Sequence, residues 1–360
     1  MRTRPRVIVA MSGGVDSAVA AGLLAREDYD VVGITMRLWT KEDPAALRQQ
    51  RRCCSVEDTD DARAAADVLG IPHYVLNLER EFGERVVDYF VDEYARGRTP
   101  NPCLACNQHV KFDALLARAD ALEADFLATG HYARIERSAG RYRLLRAVDA
   151  EKDQSYVLYT LGQRELARTL FPIGSLTKPE VRAIARELGL PVAAKPDSAD
   201  ICFVPDGDYR SFLAARLDQR PGPIVDETGA TVGTHGGIAA YTVGQRKGLG
   251  VALGAPRYVT AVDAGRNVVV IGPEADLLAN RVLVEDVRWV SGAPPAGPAA
   301  MDVKIRYRTA PARAVVTPSE GGADVRFERP QRAVTPGQAA VFYVGAEVIG
   351  GGVIARAVRP

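Results

Sequence analysis

The 360-residue chain has only five cysteines, four histidines and two tryptophans. It also lacks any apolar run near the ~20 residues that a membrane-spanning helix needs. An odd and unevenly placed set of cysteines does not make a disulfide scaffold. Each thiol is therefore read as serving packing, metal ligation or catalysis, as thiols do in a reducing compartment. Net charge is as scant: 46 Lys and Arg against 45 Asp and Glu leave +1, which alone points to neither nucleic acid nor membrane. Charge of one sign is found only locally. Residues 281–360 carry eleven Lys and Arg against seven Asp and Glu, so a polyanion site is best sought in that C-terminal part. The opening MRTRPRVIVAMSGG passes from basic residues straight into a strand-like run and glycines, without the longer apolar stretch of a secretory signal. The expectation is a cytoplasmic protein with no membrane partner.

What is present is ordinary globular material, 47% hydrophobic and 25% charged, in a chain long enough for two or three domains. From residue 6 to about 190, short β-rich runs alternate with helical segments: RVIVAM then DSAVAAGLLARE, DVVGITMRLW then TDDARAAADVLG, HYVLNL then EFGERVVDYFVDEYARG. That alternation predicts βαβ units and a doubly wound parallel sheet, an α/β fold, over residues 1–210. A helical insertion near 165–190 is expected to pack on the next domain; Gly189 and Pro191 end its helix. Beyond residue 210, glycine-spaced strands replace long helices, predicting a small β-rich central domain over 211–278. Alternating runs such as MDVKIRYR and AAVFYVG predict a C-terminal antiparallel β-barrel over 279–360. SGAPPAGPAA, residues 291–300, reads as a long loop inside that last domain, because strand-like segments flank it.

The stretch VIVAMSGGVDSAVAA runs strand, glycine turn, helix. A helix N-terminus preceded by small residues exposes several backbone N–H groups along a favourable dipole and so makes a phosphate site. The lysine of the GxxxxGK[ST] loop is missing, so this is not the Walker type. The string SGGVDS resembles the PP-loop of the ATP pyrophosphatases, which split ATP between its α- and β-phosphates to adenylate a carbonyl or amide oxygen. Alone, that resemblance leaves the substrate open.

Three further segments narrow it. GRTPNPCLACNQHVKF precedes a helix, TGHYAR follows a strand at the end where doubly wound sheets bind ligands, and KPDSADICFVPDGDY carries the lone Cys202. Taken by itself, the CxxC of NPCLACN, Cys103 and Cys106, reads as a redox pair, half a metal site, or one working thiol beside an incidental one. Separated cysteines in an adenylating enzyme point to sulfur chemistry, because adenylation turns a poor oxygen leaving group into AMP that a sulfur nucleophile can displace. A catalytic thiol needs thiolate character, which a helix beginning just after Cys106, with Lys111 nearby, would favour. Cys53 and Cys54 in RRCCSVED lack the second spaced pair of a zinc site and read as structural.

The ordered set MSGGVDS, GRTPNP, CN, TGHYAR, KDQSYVLY, DICFV and YTVGQRKGLG is similar to the bacterial tRNA-specific 2-thiouridylase family over essentially the whole chain. The resemblance implies ATP-dependent 2-thiolation of the wobble uridine of tRNAs for Lys, Glu and Gln. ATP, with Mg2+, would bind at Ala10, Met11, Ser12, Gly13, Gly14, Val15, Asp16 and Ser17, with Met36 and Gly130 completing the pocket. Cys202 would carry a persulfide supplied by a cysteine desulfurase or sulfur-relay protein. Cys106 would be the nucleophile, closing a transient Cys106–Cys202 disulfide. Asn101, Pro102 and Cys103 would contact the target base, and His131, Lys152, Asp153, Gln154, Arg306, Tyr307 and Gln338 the tRNA. No protein-held metal is implied. One position departs from the family pattern, Cys103 standing where Asn-Pro-Asp is usual; a thiol, mostly protonated at neutral pH, does not inherit a carboxylate's proton role. Two rival readings are an iron–sulfur cluster on Cys103, Cys106 and Cys202, and a PP-loop ligase acting on a small metabolite.

Overall fold

The structure is a computed structural model that describes residues 4–39, 56–197, 201–204, 207–251 and 254–358. Cys53 and Cys54 lie outside the described residues.

The first domain runs β1 (Arg6–Ala10), α1 (Val15–Arg26), β2 (Asp30–Arg37), α2 (Val56–Leu69), β3 (His73–Asn77) and then two long helices, each interrupted by a π-helical stretch. One consists of α3 (Glu79–Phe82), Gly83–Val87 and α4 (Asp88–Ala95); the other of α5 (Pro102–Ala105), Cys106–Ala114 and α6 (Leu115–Ala121). β4 (Phe126–Thr129), the hairpin β5 (Ala133–Ser138) and β6 (Arg141–Arg146), α7 (Gln163–Leu166), β7 (Thr169–Leu170), α8 (Lys178–Glu187) and α9 (Tyr209–Ala214) follow. The parallel sheet has the order β3-β2-β1-β4-β7. Its central strand is apolar on both faces because both are covered. Val7 and Val9 face α1 and α2, whereas Ile8 and Ala10 face the π-interrupted helices. Burying each of the valine and isoleucine side chains stabilises the fold by roughly 1.5–3 kcal/mol.

The segment 165–190 differs from expectation. α8 starts with a Thr177–Glu180 capping box, and its Val181 and Ala185 join the core under α1 rather than the central domain. Small residues along α1, among them Ala18, Ala21 and Gly22, let α8 come close, and an Arg26–Glu187 ion pair closes that contact. Gly189 ends the helix in the left-handed region, φ 68°.

The central unit pairs β8 (Gly222–Val225), β9 (Thr231–His235), β10 (Tyr258–Asp263) and β11 (Val268–Gly272) in the order β10-β11-β8-β9 around Ile224, Val259, Val269 and Ile271. The last domain is a closed antiparallel barrel. β12 (Leu278–Trp289), β13 (Ala299–Lys304), β14 (Ala312–Ser319), β15 (Gly322–Arg332), β16 (Ala339–Val344) and β17 (Glu347–Val358) pair in the order β12-β15-β14-β13-β16-β17, and β17 returns to β12. Closure removes the exposed edges that an open sheet would present. Residues 290–298 connect β12 to β13 within it. The hairpin β5–β6 of the first domain extends the barrel sheet through Leu145↔Glu347 and Leu144↔Val348. The first and last domains thus share one sheet.

Candidate active site

The loop after β1 and the loop after β4 open at the carboxyl ends of adjacent strands, where the connections leave for opposite faces of the sheet, the ligand crevice of a doubly wound fold. Gly14 precedes α1 in extended conformation, and Gly13 turns the chain with φ 71°. A Cβ on Gly13 would lie 2.2 Å from the Asp58 carbonyl oxygen, and one on Gly130 would lie 2.6 Å from the Ser17 nitrogen. Only glycine lets the two loops and α2 approach this closely. Inside the turn, the Ser12 N–H donates to Ser17 Oγ at 3.1 Å and Ser17 Oγ donates to the Gly14 carbonyl at 3.1 Å. The turn is thereby preset before any ligand arrives.

The cations absent from the loop's own sequence come from elsewhere in the chain. Lys195 Nζ donates to the Gly13 carbonyl at 3.0 Å and to Asp58 and Asp61, both at 2.6 Å. Lys178, at the start of α8, reaches both carboxylate oxygens of Asp16 at 2.8 Å, and Tyr132 Oη donates to Asp16 at 2.9 Å. Lys152, Lys178 and Arg182 converge on Asp197 at 2.8, 2.9 and 3.2 Å. Burial alone would raise the Asp197 carboxyl, but hydrogen bonds from Lys152 and Lys178 hold it down at about 2. The segment that begins at Lys195 stands out in the sequence for its cysteine, not for this lysine. Nothing in that segment shows that it folds back 182 residues onto Gly13.

A cavity of about 970 Å³ opens from this loop toward the barrel. Ala10, Ser12, Gly14, Val15, Asp16, Ser17, Met36 and Gly130 line one side; His131, Lys152, Asp153 and Gln154 line another; Lys304, Tyr307 and Arg308 close it from the barrel. Met11 is buried beneath the loop. His131 is 6% exposed, with Nδ1 2.7 Å from Thr129 Oγ1. Burial, then the charge of Lys111, pushes its pKa well below the ordinary value, so it enters the cavity wall as a neutral ring. Asp153 accepts from the backbone of Ala147 and Ser155, and Gln154 exchanges hydrogen bonds with Tyr132, so these two shape the wall while Lys152 supplies its charge.

Arg306 and Gln338 are placed differently from Tyr307. The Arg306 guanidinium donates to the carbonyls of Val243 and Ala333 and to Thr335 Oγ1, tying barrel to central unit. Gln338 Nε2 donates to the Thr99 carbonyl at 2.8 Å, and Thr99 N donates to the Pro336 carbonyl at 2.8 Å. The barrel therefore grips the segment leading to Asn101.

The helix carrying the CxxC begins earlier than expected. Asn101 caps it, its Oδ1 accepting from Cys103 N at 3.1 Å, and Pro102 occupies the first helical turn. An Asn cap followed by proline is a start signal and puts Cys103, not Cys106, in the first turn. Cys106 lies four residues in, at the start of the π-helical stretch, and is 8% exposed. π-helical turns recur at functional sites. Cys103 is exposed. The Tyr307 phenol is pushed up by burial and then by the charge of Asp153. Cys202 is half-buried and packs on the same hydrophobic cluster that holds Cys106. Its neighbour Phe203 anchors the segment among Phe82, Phe90 and Phe212, with ring centroids at 5.6, 5.3 and 5.3 Å. Among the described residues no three His, Cys, Asp or Glu side chains gather as a metal site. Cys103, Cys106 and Cys202 are not gathered into such a group.

A phosphate turn whose cations are borrowed from later helices and loops, set in a doubly wound parallel sheet, defines a PP-loop nucleotide-binding domain. Models of three domain families match in series: a tRNA methyl transferase HUP domain over residues 5–206, a tRNA methyl transferase PRC-barrel domain over 210–273 and an aminomethyltransferase β-barrel domain over 279–354. The tRNA-specific 2-thiouridylase MnmA of Heliobacterium modesticaldum is 52% identical over 357 residues, covering 97% of this chain and 92% of that protein. Those of Chloroflexus aggregans and Clostridium perfringens are 53% and 49% identical, each covering at least 97% of both chains. The chain belongs to the tRNA-specific 2-thiouridylase family.

Proposed function

We propose that the chain replaces the 2-oxygen of the wobble uridine of tRNAs for Lys, Glu and Gln with sulfur, using ATP. One observation carries the reading: the phosphate loop and the positions expected to meet tRNA, namely His131, Lys152–Gln154 and Tyr307, wall a single cavity. The uracil 2-oxygen attacks the α-phosphorus of ATP, pyrophosphate leaves, and C2 carries an adenylate. The α1 N-terminus and the lysines around the loop favour the pyrophosphate charge. Magnesium would arrive on the ATP phosphates. Cys202 receives a persulfide sulfur from a cysteine desulfurase or sulfur-relay protein. The Cys106 thiolate attacks Cys202 Sγ, the persulfide S–S bond breaks, and hydrosulfide leaves as a Cys106–Cys202 disulfide forms. Hydrosulfide adds to C2 and AMP departs with the oxygen; an external thiol then reduces the disulfide. Although all three matching domain families carry a methyltransferase name, an adenylating loop paired with two separated cysteines suits sulfur transfer.

The test is mass analysis of nucleosides after incubation with ATP-Mg, a sulfur source and unmodified tRNA. Wild type is expected to yield 2-thiouridine, and Cys106→Ser and Cys202→Ser are expected to yield none while still binding ATP. Absence of the product with wild type in a competent system, or its survival in either serine variant, overturns the reading. Full activity in Cys103→Asp would remove any cysteine-specific requirement at that position.

A further inference from the structure

Among the described residues, two cations on the barrel side of the cavity are held in no ion pair. Arg146 ends β6, where its N–H donates to the Ala346 carbonyl at 2.8 Å, and Lys304 ends β13; both line the cavity. The Arg146 guanidinium lies 4.0 Å from the centroid of the Tyr343 ring, and Lys304 Nζ lies 5.8 and 5.5 Å from those of Tyr156 and Tyr307. Aromatic faces offset part of the lost hydration of a cation, but only part. The buried Nε of Arg146 has no hydrogen-bond partner among the described residues. Lys304 has its pKa lowered by burial, with Asp153 opposing and Arg146 adding to the shift. Two like charges held together in a half-dry wall, neither in an ion pair among the described residues, are unfavourable until an anion enters.

We propose that Arg146 and Lys304 form a phosphate subsite on the barrel wall that takes the backbone phosphate of the tRNA nucleotide beside the target uridine. The proposal rests on the tRNA-thiolation reading. ATP phosphates already have the α1 N-terminus with Lys178 and Lys195 around the loop, whereas Lys304 stands beside the Tyr307 ring. Tyr307 is 37% exposed, and its ring offers an unstacked base a face to stack on.

The test measures tRNA affinity against salt, and KM for ATP and for tRNA, in Lys304→Gln, Lys304→Arg and Arg146→Gln. Lys304→Gln is expected to weaken tRNA binding by on the order of tenfold, to flatten the plot of log affinity against log salt by about 0.7–0.9, and to leave KM for ATP unchanged; Lys304→Arg restores most of the affinity. A rise in KM for ATP with tRNA affinity unchanged assigns the subsite to the nucleotide and overturns the proposal, as does no change in either. Wild-type protein that fails to bind tRNA overturns the thiolation reading and this inference together, whereas normal wild-type thiolation with an indifferent Lys304→Gln overturns this one alone. A thermal midpoint matching wild type confirms that Lys304→Gln is folded; Arg146→Gln, which also loses its packing on Tyr343, is read beside it.

Discussion

At the scale of single residues, Asp197 shows how the phosphate turn is held electrostatically. It sits beside Pro196 in a loop, and hydrogen bonds from Lys152 and Lys178 outweigh burial to depress its carboxyl to about 2. A depressed carboxyl contributes stability above its ordinary titration range, and that contribution is lost as pH falls through the native value. The contacts to Lys152 and Lys178 are therefore expected to be complete from neutrality down through pH 4 and to fail only near pH 2. Site-resolved NMR titration of the Asp197 carboxyl checks this, and Lys178→Met should move its midpoint up toward that of an ordinary aspartate. A midpoint already in the ordinary range in wild type would show that the cluster does not hold it.

At the scale of elements, the helix that carries Cys103 and Cys106 depends on its first residue. Asn101 accepts from Cys103 N and so satisfies one of the N–H groups that a helix start leaves unpaired. Asn101→Ala is expected to lower stability by about 1 kcal/mol, measured by urea unfolding. Asn101→Asp keeps a cap of equal quality and should stay within a few tenths of a kcal/mol of wild type. If thiolation falls in both variants, Asn101 also serves the target base; if it falls only in the alanine variant, the cap accounts for the loss. The π-helical stretch from Cys106 to Ala114 was not legible in the sequence, because nothing in CNQHVKFDA distinguishes a π-turn from an α-turn. The early helix start was legible in Asn101-Pro102, a cap and proline pair whose meaning the cysteines obscured.

At the scale of the molecule, the seam between barrel and first domain positions the site. Arg98 bridges the buried Glu93 and Glu285 of the barrel at 2.7 and 2.6 Å, and the 336–338 turn binds both backbone groups of Thr99. Gly337 has φ 90°, and a Cβ there would lie 2.9 Å from the Thr99 nitrogen. Gly337→Val is expected to cost on the order of 1–3 kcal/mol and to displace the segment feeding Asn101, lowering thiolation beyond what the stability loss explains. Gly345→Ala, also at positive φ but with open space at its Cβ, is the control for strain without displacement. Equal activity in the two variants, compared at matched folded fractions, would show that the seam does not position the site.

The sequence by itself determined the parallel sheet, the β-rich remainder and the phosphate turn, since these rest on local periodicity and on glycines at fixed spacing. The order MSGGVDS, TGHYAR and KDQSYVLY likewise marked the stretches that line two sides of the cavity. Only the tertiary structure decided that Lys178 and Lys195 reach the phosphate loop and that α8 packs on α1. It alone also turned Arg306 and Gln338 toward neighbouring backbone, and set Arg146 and Lys304 together on the far wall. The physical reason is the same in each case. A charge acts through the distance to its partner, and that distance is set by how sheets and barrel close on one another, not by separation along the chain.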